Sequence, residues 1–170
     1  IVKDTLGLDE NYKYKVYIAL LYPSEDVQFG DIDGDGVSDK LVDVNTRVQA
    51  INWYINAFFE RFESGNYTNL EFAGFYWHHE AMERHVDEME LLNSVSRLVH
   101  SKGYQFFWIP YYTATGYNQY REYGFDFACM QPNYAFRDTT PYSNLTNCAA
   151  LAKLYGMCVE MELEAMALYN

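Results

Sequence analysis

Apolar and polar residues alternate along the chain in blocks that predict strands and helices in turn. The first block, from Lys15 to Tyr22, is almost continuously apolar and stops at Pro23. Such a run is typical of a strand that is buried on both faces. A polar loop is predicted after it, over 24–43.

The clearest helix follows this loop. Asp43 or Asn45 can cap its start, and Gly65 lies just past its end. Its apolar residues recur at helical spacing on one face. They are Val44, Val48, Ile51, Ile55, Phe58, Phe59 and Phe62.

The same criteria predict further strands over 70–77, 104–109, 125–130 and 157–163. They also predict a short helix over 117–123 and a longer one over 144–155, the latter with Leu145, Cys148, Leu151 and Tyr155 inward. Another helix is predicted to end at Gly103. Its apolar stripe is Val86, Met89, Leu92, Val95 and Val99.

Strands separated by helices predict an α/β fold with a mostly parallel sheet. Two architectures fit, a doubly wound open sheet and a (β/α)8 TIM-barrel-like fold. No GxGxxG or P-loop follows a strand, so nucleotide binding loses its usual support. Polar and aromatic residues cluster where strands end, which favours the barrel. Because about five βα units cannot close a barrel, we expect 1–170 to be a single partial barrel domain within a longer chain.

Composition excludes several classes of protein. The 170 residues carry 24 acidic and 12 basic side chains, a net charge of −12, whereas a nucleic-acid binder needs clustered Lys and Arg. A chain with 49% apolar and 18% aromatic residues is not disordered. No apolar run reaches the roughly 18 residues of a membrane span. Cys129, Cys148 and Cys158 match no disulfide framework and are predicted to be small buried hydrophobes.

The last predicted strand has an unusual alternation. One parity is apolar, and the other carries Cys158, Glu160, Glu162 and Glu164. In a barrel the apolar face would meet the helices and the acidic face would point to the axis. Neighbouring carboxylates raise one another's pKa, as acid/base chemistry requires. An amphipathic edge strand with a solvated acidic face gives the same pattern.

Glu80 is the candidate partner for one of these acids. It ends an apolar strand and follows His78 and His79; it equally fits the first turn of the next helix, where the macrodipole stabilises an acid. Two carboxyls carry out glycoside hydrolysis, one protonating the leaving oxygen while the other attacks the anomeric carbon or activates water.

Aromatic rings at strand ends can stack on sugars, with core packing as the alternative. These rings are Tyr22, Trp77, Tyr111, Tyr112 and Tyr134. Core packing is preferred for Trp53 and Trp108.

A second motif lies in the polar loop over 31–43. Asp31, Asp33, Asp35 and Asp39 stand at positions 1, 3, 5 and 9 of a calcium-type loop, and Asp43 is a further candidate ligand. Val42 stands at position 12 instead of the bidentate Glu of an EF-hand, so weak structural Ca²⁺ binding is predicted, suited to extracellular calcium. The alternative is a solvated acidic loop.

A metal hydrolase is a weaker hypothesis, because HExxH spacing is absent. Its candidate ligands would be His78, His79, Glu80 and His85.

Four motifs carry a resemblance to a known family. They are Gly74-Phe75-Tyr76-Trp77-His78-His79-Glu80, Trp108-Ile109-Pro110-Tyr111-Tyr112, Gln131-Pro132-Asn133-Tyr134 and Val159-Glu160-Met161-Glu162. In this order they resemble a secreted bacterial family of unknown function that is itself expected to resemble glycoside-hydrolase barrels. The resemblance implies that the strands are barrel strands three to seven. It also implies a retaining mechanism, with Glu80 as acid/base and Glu162, or else Glu160, as nucleophile. The usual Asn before the acid/base is His79 here.

These observations lead to two hypotheses. The first is a glycoside hydrolase that acts on an extracellular or cell-surface polysaccharide or glycan and needs no cofactor for catalysis. The second is a non-catalytic, calcium-stabilised module that binds carbohydrate. Both predict the same substrate-contacting residues. They are His78, His79, Trp77, Tyr111, Tyr112, Gln131, Asn133 and Tyr134.

Overall fold

A computed structural model describes residues 2–82 and 86–163. The helices are α1 (Val2–Leu6), α2 (Val44–Ser64), α3 (Glu88–Ser101) and α4 (Ser143–Tyr155), with a short 3₁₀ helix at Tyr117–Gln119. The strands are β1 (Tyr14–Leu20), β2 (Gln28–Gly30), β3 (Asp39–Lys40), β4 (Leu70–Trp77), β5 (Gln105–Trp108), β6 (Phe127–Met130) and β7 (Cys158–Val159). The described helices include none that is both long enough and apolar enough to cross a membrane.

The main sheet has five parallel strands in the order β1-β4-β5-β6-β7. The predicted α/β class with a parallel sheet is therefore confirmed. Every neighbour in this sheet is also the next main-sheet strand along the chain, so the described strands show no reversal of order like that of a doubly wound sheet. Among the described strands, β1 and β7 form its two edges. β2 and β3 pair separately as an antiparallel ribbon within the predicted loop.

Local signals at both ends fix α2. Asp43 is its N-cap, and the carboxylate accepts a hydrogen bond of 2.8 Å from the backbone N–H of Thr46. Gly65 follows the last turn. The apolar stripe turns Ile51 and Ile55 into the core, where both are buried. The predicted boundaries of this helix are confirmed.

One face of the sheet carries the main hydrophobic core. Strand alternation turns Leu20, Trp77 and Trp108 toward the helices, and each is fully buried. The α3 residues Leu91, Leu92, Val95 and Val99 pack into the same cluster. The predicted start of the α3 stripe was wrong. Val86 precedes the helix and is 97% exposed, and Met89 is 41% exposed, because the helix begins at Glu88 and turns Leu91 inward.

The other face of the sheet carries a ladder of aromatic rings. Phe107 stacks on Phe127 with ring centroids 4.7 Å apart and on Tyr76 at 5.2 Å. Tyr17 meets Phe107 edge-on at 4.9 Å. These four rings contact one another and do not join the helix-side core. Every main-sheet strand from β1 to β6 contributes one ring to this ladder.

Two further predictions need correction. The last strand was predicted over 157–163, but regular pairing covers only Cys158–Val159. Met161 and Leu163 are mostly exposed, because β7 is an edge strand whose pairing ends soon after β6 does. Trp53 was assigned to the core and is instead 44% exposed on α2, whereas Trp108 is buried as predicted.

Candidate functional site

The carboxyl ends of three strands bring distant polar residues to one edge of the sheet. Glu80 follows β4, and Gln131 follows β6. The side-chain Nε2 of Gln131, which is buried, donates to Oε1 of Glu80 across 3.4 Å. Beyond β7, the backbone N–H of Glu160 donates to the Met130 carbonyl at 3.0 Å. That bond continues the strand pairing and fixes Glu160 at the same edge as Glu80.

The three predicted acids interact electrostatically at this edge. Burial raises the pKa of Glu162, and the negative charges of Glu160 and then Glu80 raise it further. The backbone N–H of Asn133 bonds to Glu162 and partly offsets this rise. Oε2 of Glu160 and Oε2 of Glu162 are buried and have no hydrogen-bond partner within the described part of the chain. The site therefore concentrates negative charge and leaves carboxylate oxygens available. Glu164 lies outside the described residues.

Tyr76 faces the same carboxylates and was missed by sequence reasoning. Burial raises the pKa of its phenol to about 12, and the charges of Glu80 and Glu160 add to that rise. The hydroxyl therefore stays protonated at neutral pH and can donate a hydrogen bond at this edge. The sequence did contain an indication of this position. Side chains alternate along a strand, so Tyr76 lies on the same face as His78, two residues later.

The segment after β6 is held in an unusual backbone conformation. Asn133 has φ of 50°, in the left-handed region that Asn tolerates better than most residues. The side chain of Asn144 donates to the Pro132 carbonyl at 3.2 Å and ties this segment to α4. This conformation accompanies the backbone bond from Asn133 to Glu162. Strained backbone of this kind clusters at functional sites.

The two histidines point different ways. His78 is exposed and lies beside Tyr76, with ring centroids 5.8 Å apart. The ring of His79 stacks on Tyr22 at 4.4 Å. The His79 carbonyl accepts a 2.7 Å hydrogen bond from the indole Nε1 of Trp108. His78 is thus the imidazole on the strand face of Tyr76, while His79 helps to hold the end of β4.

The predicted aromatic contacts are only partly available. Trp77 is fully buried in the helix-side core, so its ring is removed from the set that can stack on a sugar. Tyr111 and Tyr112 are half-buried, and the backbone of Tyr111 pairs with Gln131. Tyr134 is 37% exposed and meets Tyr142 edge-on at 6.3 Å.

A buried arginine at the end of β1 was also missed. Arg47 is fully buried, and its Nε donates to the Pro23 carbonyl at 2.7 Å. Its guanidinium lies 5.2 Å from the ring centroid of Tyr22, whose hydroxyl donates to Glu88 at 2.9 Å. Burial and this bond raise the pKa of Tyr22 to about 12. The signal was present, since Arg47 falls on the apolar stripe of α2.

The acidic loop gathers part of the predicted ligand set. Ligand oxygens of Asp31, Asp33 and Asp39 lie within 4.8 Å of one another, a donor set that suits a hard cation such as Ca²⁺. Asp35 instead accepts from the backbone of Val37 at 2.7 Å, and Asp43 caps α2. Among described residues no His-containing group of three ligands is found. His85, the remaining ligand of the metal-hydrolase hypothesis, lies outside them.

Comparison with known proteins gives one match. The family model described as "Domain of unknown function (DUF4855)" matches residues 2–170. No curated protein and no solved structure matches the chain. The expected likeness to a family of unknown function is thus confirmed, while its likeness to glycoside hydrolases and its secretion stay predictions.

Proposed function

We propose, from the premise that this chain belongs to the DUF4855 family of unknown function, that it is a retaining glycoside hydrolase. Its substrate would be a polysaccharide or glycan outside the cell or at its surface. One observation carries the proposal. Glu80 is about 80 residues away from Glu160 and Glu162 in the chain, but the three carboxyls act on one another or on Tyr76 at one edge of the sheet. Two carboxyls flanking a glycosidic bond are the usual apparatus for its hydrolysis.

The surroundings of each acid support a division of roles. Glu80 is exposed and receives a hydrogen bond from Gln131, so it is placed to meet a leaving-group oxygen as acid/base. Burial raises the pKa of Glu162, but the bond from the Asn133 N–H favours the ionised carboxylate that a nucleophile needs. Its Oε2 has no partner among the described residues. Oε2 attacks the anomeric carbon as the glycosidic bond breaks and Glu80 gives its proton to the leaving oxygen. Water then releases the sugar, and Glu80 takes a proton from that water. Glu160 is the alternative nucleophile.

The sheet supports a TIM-barrel-like scaffold for this chemistry. Five parallel strands follow one another in chain order, as consecutive strands of a (β/α)8 barrel do. The three acids follow β4 and β7 at their carboxyl ends, where barrel enzymes carry their active sites. Counting the main-sheet strands as barrel strands three to seven puts Glu80 after strand four and the Glu160–Glu162 pair after strand seven.

Turnover by the full chain tests the proposal. We expect the chain to hydrolyse at least one member of a panel of aryl glycosides and polysaccharides. Glu80→Gln and Glu162→Gln should each lower kcat at least a thousandfold with the fold intact by circular dichroism. Azide separates the roles, because it rescues a nucleophile variant with inverted product and an acid/base variant with retained product. No turnover on a broad panel, or full activity in Glu80→Gln, contradicts the proposal; sugar binding without turnover supports the non-catalytic module.

We also propose a structural Ca²⁺ held by Asp31, Asp33 and Asp39. The support is the grouping of their oxygens, together with three backbone N–H bonds that orient the Asp31 carboxylate. Calcium should raise the unfolding temperature of the chain and a chelator should reverse the rise. Asp31→Asn should abolish this response, while Asp9→Asn, another exposed aspartate, should keep it. If neither calcium nor a chelator changes the unfolding temperature, the proposed Ca²⁺ site is contradicted.

A further inference from the structure

Two cysteines that are far apart in the chain meet on neighbouring strands. Cys129 of β6 and Cys158 of β7 are partners in the parallel register, so their side chains leave the sheet on the same face. Adjacent strands lie about 4.8 Å apart, within the Cα separation of roughly 4.4–6.8 Å that a disulfide spans. Their register therefore places the two cysteines within the Cα range of a disulfide. Burial raises the pKa of the Cys129 thiol to about 12, and the neighbouring Cys158 thiol adds to the rise.

The surroundings distinguish this pair from the third cysteine. Cys158 is exposed and Cys129 is half-buried, whereas Cys148 is fully buried and directs its thiol to the Met130 carbonyl at 3.6 Å. Cys129 lies between Ala128 and Met130, which are both fully buried on the helix side. It therefore belongs to the opposite face, while Cys148 packs on the helix side. All three cysteines are reduced in this structure.

We propose that Cys129 and Cys158 are an oxidation site that closes a disulfide between β6 and β7. Cys158, which is exposed, gives its proton to water, and its sulfur attacks a low-molecular-weight disulfide such as oxidised glutathione, so that one glutathione thiolate leaves. Cys129 then gives its proton to water, its sulfur attacks the Cys158 sulfur, and the second glutathione leaves. The protein loses two S–H hydrogens and two electrons, and one glutathione disulfide becomes two thiols.

The bond would act on the edge of the sheet that holds the acids. β7 contains only two residues, and Glu160 lies two positions beyond Cys158. A covalent link at Cys158 would therefore hold β7, and with it Glu160, against β6. This inference concerns the thiols alone and stands whether or not the chain hydrolyses a glycoside.

Thiol mapping of the full chain tests the proposal. After equilibration with oxidised glutathione, the denatured and alkylated chain should show one free thiol, at Cys148, and a Cys129–Cys158 cross-linked peptide. Cys148→Ser should leave this cross-link unchanged. Cys129→Ser should stop at a glutathione adduct on Cys158, because the second step has lost its nucleophile. Three free thiols in the wild-type chain, a persistent adduct on Cys158, or a cross-link that includes Cys148 overturns the proposal.

Stability gives a second readout. A disulfide that closes a loop of about thirty residues should raise the unfolding temperature by roughly 5 °C or more. The rise should appear in the wild-type chain and in Cys148→Ser and should be absent from Cys158→Ser. An equal change in the Cys158→Ser variant would show that the oxidant acts elsewhere, and it would contradict the proposed bond.

Discussion

The side-chain amide of Gln131 reaches the carboxylate of Glu80 across 3.4 Å and joins the ends of β6 and β4. Gln131 is buried, while Glu80 is exposed. The buried amide of Gln131 is therefore held in place, and its hydrogen bond orients the carboxylate of Glu80. If Glu80 is the acid/base, its aim at a leaving-group oxygen depends on this bond.

Replacing Gln131 by Leu should lower kcat/KM for a glycoside about fivefold, since one hydrogen bond contributes roughly 1 kcal/mol. The loss should fall on kcat more than on KM, because Glu80 remains present but loses its orientation. Steady-state kinetics on the most reactive substrate measures this split. Gln49→Leu, at an exposed position of α2, is the matched control. Equal kinetics for the Gln131 variant and wild type would mean that the bond does not orient the acid.

The raised pKa of Glu162 predicts a pH-dependent cost to stability. Its folded pKa lies above its unfolded value because of burial and the charges of Glu160 and Glu80. The group therefore favours the folded state below the unfolded pKa, and that contribution is lost as pH rises through the folded pKa. Glu162→Gln stays neutral at every pH. It should unfold about a degree or two above wild type at pH 7 and level with it at low pH.

Thermal unfolding across pH measures this difference, and Glu63→Gln on the exposed face of α2 is the control.

The raised pKa of Glu162 also predicts a shift in the pH dependence of the rate. Glu160→Gln removes the neighbouring charge that contributes most to the raised pKa of Glu162, so the acid limb of the rate profile should move to lower pH. If the acid limb does not move, the group whose ionisation limits the rate at low pH is not Glu162.

Sequence reasoning succeeded where the deciding interactions are local. The ends of α2 depend on Asp43 and Gly65, which are adjacent to the helix itself. The β4 boundaries follow from a mostly apolar run that is broken only by Glu71 and Gly74, and the structure has the same bounds, Leu70–Trp77. The prediction that Glu80 and Glu160 lie at the same edge of the sheet is of the same kind. It required only the strand ends and a parallel sheet, because parallel strands end at the same edge.

It failed where a distant partner decides. Pairing of the last strand ends early because β6, its only neighbour among the described strands, ends at Met130. This limit cannot be read from the alternation over 157–163. The buried state of Arg47 depends on the Pro23 carbonyl, which the chain brings back from beyond the loop. The pairing of Cys129 with Cys158 depends on strand register, and their spacing in the sequence resembles no disulfide pattern.

Gly74 marks a close approach of two strands. It pairs with Gln105 in the β4–β5 register, and a Cβ at this position would collide with the Gln105 backbone carbonyl. Backbone cannot rotate away as a side chain can, so Gly74→Ala should cost about 3 kcal/mol and lower the unfolding temperature by roughly 6–12 °C. Gly65→Ala is the matched control, because the atoms nearest to its Cβ belong to the ring of Tyr67, which can move. Similar losses for both variants would contradict this account.

Arg47 offers the sharpest test of the polar contacts behind β1. Its Nε bonds the Pro23 carbonyl inside the protein, and its Nη1 pairs with Glu25 at 3.2 Å, whose side chain is 43% exposed. Loss of the guanidinium leaves the carbonyl unpaired, whereas Glu25 can return to water. Arg47→Met should therefore cost about 2 kcal/mol in urea unfolding.

Glu25→Gln identifies which contact carries that cost. The Glu25 side of the pair is 43% exposed, although Arg47 is buried, and the neutral amide of the variant can still accept from Nη1. This variant should therefore cost less free energy of unfolding than Arg47→Met. Arg97→Met, on the exposed side of α3, is the control for loss of a positive charge and should be near neutral. If Glu25→Gln costs as much as Arg47→Met, the ion pair and not the Pro23 carbonyl anchors the end of β1. That result would also predict that salt weakens the wild-type fold, because screening acts on the pair and not on the carbonyl bond.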